Sequence, residues 1–167
     1  MTLVNWKYSA KATAVILMFA VPLQAHEPAT GTDRASALAP SAKGAAATVD
    51  AFHLALHRGN TQAAAALLAD DVLIFEGGEA ERTKAEYASH HLTADAAFSH
   101  AVPSVLTRRA GSATGSTAWI ASEGRTTGTY KGKSLDLVTA ETMLLRRTGA
   151  SWKIFHIHWS SSKAPSK

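Results

Sequence analysis

At 167 residues the chain has room for one ordinary hydrophobic core and too few residues for two. Hydrophobic residues make up 46% and charged residues 18%, a globular composition, although alanine supplies much of the apolar share and buries little area per residue. The net charge of +4 is spread over isolated basic pairs such as Arg108-Arg109 and Arg146-Arg147, with no basic stripe and no aromatic interleaving, which argues against nucleic acid as a partner.

There are no cysteines, so disulfides and thiolate chemistry are excluded and stability must come from packing. Residues 1–25 read as a secretory signal: Lys7 and Lys11 form a positive start, Ala12 to Val21 an apolar stretch, and Leu23-Gln24-Ala25 a small-residue end. Cleavage is expected after Ala25. The apolar run of roughly 10 residues is too short for a spanning helix, which needs about 20, so no stable membrane anchor is expected after cleavage. The mature chain would carry 15 basic and 13 acidic side chains, and its expected destination is periplasmic or secreted.

Residues 26–47 mix Pro, Gly, Ser, Thr and Ala without apolar periodicity and read as a flexible tether. From Thr48 the pattern turns helical, with Val49, Phe52, Ala55 and Leu56 on one face and a stop at Arg58-Gly59-Asn60. A second helix is predicted over Gln62 to Ala69, with Thr61 as its cap, and Val72 to Phe75 reads as a strand closed by Gly77-Gly78. A third helix is predicted from about Lys84 to about His100. Four strands follow: Ser104 to Arg109, Thr117 to Gly128, Leu137 to Arg147 and Trp152 to Ser160. Helices first and strands last predict an α+β domain over 48–162, with 163–167 as a loose tail.

The element order, together with the closing stretch Gly149-Ala150-Ser151-Trp152 and the run His156-Ile157-His158-Trp159-Ser160, resembles the nuclear transport factor 2-like superfamily, which includes ketosteroid isomerase and the SnoaL-like proteins. The resemblance implies a cone-shaped, curved antiparallel sheet with three N-terminal helices enclosing a pocket. That scaffold serves isomerases, dehydratases, cyclases and partner-binding domains alike. Ketosteroid isomerase uses a carboxylate base with a Tyr and a protonated Asp, and no position here matches that set residue by residue.

Strict two-residue alternation in the last strand would put Trp152, Ile154, His156 and His158 on one face and Lys153, Phe155, Ile157 and Trp159 on the other. The resemblance suggests that the His pair faces the pocket. Pocket candidates are Glu76, Tyr87, His91, Trp152, His156 and His158. Glu141 stands out as a carboxylate in an apolar strand, and burial there would raise its pKa toward that of a general base.

Three functions are compatible with these residues. The first is binding of a small, largely apolar ligand in the cone with no cofactor. The second is acid/base catalysis by an isomerase or lyase, with His156 or His158 carrying the proton and Glu141 as base or orienter. The third is a divalent metal site for Zn or Cu, since His156 and His158 at i and i+2 lie about 6–7 Å apart at Cα; His90 or His91 would add a ligand. A core role for the His pair suits the same spacing. A homodimer is expected through an outer face carrying Phe155, Ile157 and Trp159.

Overall fold

The computed structural model describes residues 37–165. The predicted signal at 1–25, the tether as far as residue 36 and the last two residues lie outside the described residues. A single 3-10 turn, Pro40–Ala42, leads into α1, Lys43–His57. The helix thus begins five residues before the predicted start. Ala42, Ala45 and Ala46 are buried in line with Val49 and Phe52, and Gly44 lies so close beneath Trp152 that a Cβ there would sit 3.1 Å from its indole nitrogen. Leu38 bridges to Gly111 and the Ala39 amide donates to the Gly111 carbonyl at 2.8 Å. Residues 38–47, read as tether, are therefore docked on the sheet. Small residues pack closely while giving a weak hydrophobic pattern, which hides the helix from its periodicity.

Asn60, not Thr61, caps α2, Thr61–Leu67, its side chain accepting from the Ala63 amide at 3.0 Å. The chain passes directly into β1, Leu68–Glu76, which turns at Gly77-Gly78 into the short β2, Glu79–Glu81. Gly77 and Gly78 both have positive φ, a conformation glycine adopts without cost. The predicted third helix is two: α3, Lys84–Ser89, capped by the Thr83 hydroxyl, and α4, Leu92–Ala101. The chain kinks at His90-His91, so Tyr87 from α3 and Ala96 from α4 are both buried.

Four strands complete the domain: β3, Ser104–Thr114; β4, Thr117–Tyr130; β5, Lys133–Thr148; and β6, Ser151–Lys163. They form one six-stranded sheet in the order β2-β1-β6-β5-β4-β3. Every neighbouring pair is antiparallel except β1 and β6, which run parallel. The helices cover one face. Val49, Phe52 and Leu56 of α1, Tyr87 and Leu92 meet Ile74, Ile120, Met143, Leu145, Ile154 and Ile157 in a single core. Full burial of a side chain such as Phe52 contributes about 1.5–3 kcal/mol.

One irregularity decides what the inner face presents. Leu144 pairs with His156 while Leu145 pairs with Ile154, so Phe155 is an extra residue, a β-bulge in β6. The bulge reverses the alternation. Trp152 and Ile154 before it and Ile157 after it all enter the core, and Trp159 packs against that core. His156 and His158 are thereby turned to the opposite face, where their rings lie 5.6 and 6.4 Å from that of Phe75.

Candidate functional site

The register aligns one residue from each of five strands across the inner face. Arg109 of β3 is opposite Ser122 of β4, Ser122 is opposite Glu141 of β5, Glu141 is opposite Trp159 of β6, and Trp159 is opposite Glu76 of β1. This polar row crosses a largely apolar surface, and helix α1 supplies partners to two of its members. Asp50 and His53, one turn apart on α1, reach down to Arg109 and Glu141.

Glu141 is 9% exposed and holds the centre. Its Oε2 accepts from His53 Nε2 at 2.8 Å and from Trp159 Nε1 at 2.8 Å, while its Oε1 is buried with no partner among the described residues. Burial pushes its carboxyl up, but the His53 and Trp159 hydrogen bonds and the positive charges of His53 and Arg109 outweigh it and hold the group below the ordinary carboxylate range. The expected rise is therefore reversed: Glu141 stays ionised and accepts hydrogen bonds. An ionised carboxylate has no proton to give, so in the neutral form of the His53 ring the proton is on Nε2 and Nδ1 carries the free lone pair. The His53 side chain is 41% exposed, so that lone pair belongs to a ring with access to solvent.

Trp159 joins this group to a second one. Its ring stacks on Phe52 at 6.3 Å and tilts against Tyr87 at 6.5 Å. Tyr87 is buried and donates its hydroxyl to Asp95 Oδ2 at 2.8 Å, and burial pushes its phenol strongly up. Burial likewise raises Asp95, against the Tyr87 hydrogen bond and the His91 charge. Glu76 is raised by burial and by the charge of Asp95. At the β2 hairpin His91 Nδ1 bonds the buried Glu81, with Glu79 3.6 Å from its Nε2, and the bond to Glu81 raises the His91 pKa.

Of the residues singled out in the sequence, Glu141, Glu76, Tyr87 and His91 lie on or beside the inner face. Trp152 is core, wedged over Gly44 with the Arg147 guanidinium 4.9 Å from its ring centroid, and does not line the site. His156 and His158 are on the outer face, where His156 Nδ1 donates to the Leu73 carbonyl at 3.0 Å, because the bulge at Phe155 breaks the period that placed them inside. His90 is exposed at the helix kink. Among the described residues no group of three or more His, Cys, Asp or Glu is arranged to hold a metal ion, so the quartet His90, His91, His156 and His158 is not assembled. His53, Asp95, Arg109, Ser122 and Trp159 escape the sequence reading. His53 leaves one trace, its place beside Phe52 and one turn after Asp50 on the flank of the apolar stripe.

A six-stranded curved sheet with helices on one face and a polar row inside defines the nuclear transport factor 2-like class. Within that class the SnoaL-like domain family matches residues 45–164, and the chain belongs to it. A protein of Shewanella frigidimarina, provisionally named a ketosteroid isomerase, is 38% identical, with a TM-score of 0.69 over 72% of this chain and 98% of that one. A Streptomyces avermitilis protein, provisionally named a dehydratase of the same superfamily, shares the fold at 20% identity and a TM-score of 0.60, covering 74% of this chain and 98% of its own. A Xanthomonas campestris protein, provisionally named a calcium/calmodulin-dependent protein kinase II association domain, shares it at 23% identity and a TM-score of 0.62, with 79% and 96% covered. No curated protein matches the chain.

Proposed function

We propose that this domain binds a small, largely apolar molecule at the rim of the cone and moves a proton on it, in the manner of an isomerase or lyase, with His53 as the base and Glu141 as its orienter. The observation that carries this reading is the 2.8 Å contact of His53 Nε2 with Glu141 Oε2, which fixes one tautomer of the neutral ring and leaves its Nδ1 lone pair on a partly exposed side chain. Trp159, only partly buried, supplies apolar surface beside it. The name of the 38% identical Shewanella protein, a ketosteroid isomerase, points to the same kind of proton shift. His156 and His158 have no part in it. No cofactor is needed for such a step.

The test requires no knowledge of the natural substrate. Small apolar ketones are incubated with the protein in heavy water, and deuterium incorporation is read by mass spectrometry. Incorporation that falls about 10²–10⁴-fold in His53→Ala, and persists in a His156→Ala/His158→Ala double variant, is the expected result. Binding without incorporation would leave the domain a carrier. The unpartnered Glu141 Oε1 favours that second reading, since a ligand donor would satisfy it.

The signal-like segment supports export to the periplasm or beyond, and N-terminal sequencing of the secreted form should begin at His26. A homodimer is also proposed, on a different footing from the one the alternation suggests. Ile157 and Trp159 face inward, but Phe75 and Trp119 remain 39% exposed on the outer face, Trp119 opposite Leu144.

A further inference from the structure

Two histidines far along the chain from the polar row are tied together at the ends of two helices. His57 is the last residue of α1, and His100 lies in the last turn of α4. Their bonding is reciprocal. His57 Nδ1 is 3.0 Å from the Ser99 carbonyl oxygen, and His100 Nδ1 is 2.9 Å from the carbonyl oxygen of His57 itself. A carbonyl oxygen only accepts, so in both rings the proton is on Nδ1 and the lone pair is on Nε2. This is the arrangement in which a backbone carbonyl fixes the tautomer of a metal-binding imidazole and raises its basicity.

The rings are 5.9 Å apart at their centroids, tilted by 40°, and both residues are exposed. An ion held about 2.0–2.1 Å from each Nε2 would place the two centroids roughly 5–6 Å apart, so the separation suits a shared ligand pair. The setting adds to this. Both rings sit where helix carbonyls run out of intrahelical partners, and the negative ends of two helix dipoles favour a cation there. Water would complete the coordination shell.

We infer that His57 and His100 form a surface site for a divalent transition-metal ion, Zn²⁺ or Cu²⁺, that clasps α1 to α4. The site is independent of His53 and of the proton-transfer reading. Binding of the ion to the folded state alone should raise the melting temperature as the ion is added. His26, at the predicted mature N-terminus, and the His156/His158 pair are competing sources of affinity, so the measurement compares variants.

The experiment is isothermal titration of the full chain with Zn²⁺ and with Cu²⁺, repeated on His57→Gln, His100→Gln and the His156→Ala/His158→Ala control. One site, weakened about tenfold or more in each of the first two variants and unchanged in the control, is expected. Binding that survives His57→Gln, binding lost in the control, or no binding in the unmodified chain overturns the assignment. Because either single variant loosens the α1–α4 contact, a second reading uses the unmodified chain alone: Cu²⁺ should broaden the imidazole signals of His57 and His100 at substoichiometric amounts, and broadening centred elsewhere overturns it.

Discussion

Glu141 and Asp95 are two carboxylates whose surroundings pull them in opposite directions. Glu141 is held down by His53, Trp159 and Arg109, whereas Asp95 is pushed up by burial that the single Tyr87 hydroxyl does not offset. A depressed carboxyl contributes stability above its unfolded pKa and loses it as pH falls through the folded value. A raised one binds its proton more tightly when folded, so stability falls as pH rises from the unfolded value through the folded one. Asp95→Asn, which keeps an acceptor for Tyr87 and removes the charge, should therefore gain stability relative to the parent as pH climbs through the carboxylate range. Urea midpoints measured below and above that range check it, and a constant difference would contradict it. At this scale the sequence marks Glu141 as anomalous because a lone acid in an apolar strand is conspicuous. It leaves His53 unmarked, because a histidine beside a helix stripe is ordinary until the strand beneath it is known.

At the scale of elements, most boundaries are legible and the exceptions share a cause. The helix kink at His90-His91, the parallel pairing of β1 with β6 and the bulge at Phe155 are all settled by contacts between distant segments, not by local pattern. The bulge matters most. Ile154 and Ile157 are three residues apart and both buried in the same core, which unbroken alternation does not allow, so the His-x-His run that looks inward on a strict period faces out. Gly111 is a comparable constraint in β3. A Cβ there would come within 2.7 Å of Ile120 Cδ1 and of the Trp119 carbonyl oxygen, while the same residue receives Leu38 and Ala39 from the leading segment. Gly111→Ala should cost about 1–3 kcal/mol by denaturant unfolding and loosen residues 38–42 in hydrogen exchange. An unchanged midpoint would show that the leading segment is not clamped there.

For the whole molecule, the sheet separates two surfaces with different roles: an inner one whose polar row is gathered under the helices, and an outer one carrying Phe75, Trp119 and Leu144 between exposed polar residues. Replacing Phe75 and Trp119 with Glu places charge on both without touching the core, so light scattering should report a dimer for the parent and a monomer for the double variant. A monomeric parent would remove the outer face as an interface. None of the described helices is long and apolar enough to cross a membrane. The proposed role of Glu141 on the inner surface, holding the neutral His53 ring as a base with a free Nδ1, is open to direct observation. In a long-range ¹H–¹⁵N spectrum of labelled protein at mildly alkaline pH, His53 should show a protonated Nε2 and a bare Nδ1, and Glu141→Gln should mix the two tautomers. A His53 ring protonated at Nδ1 in the parent, or one averaging freely between tautomers, would contradict the account.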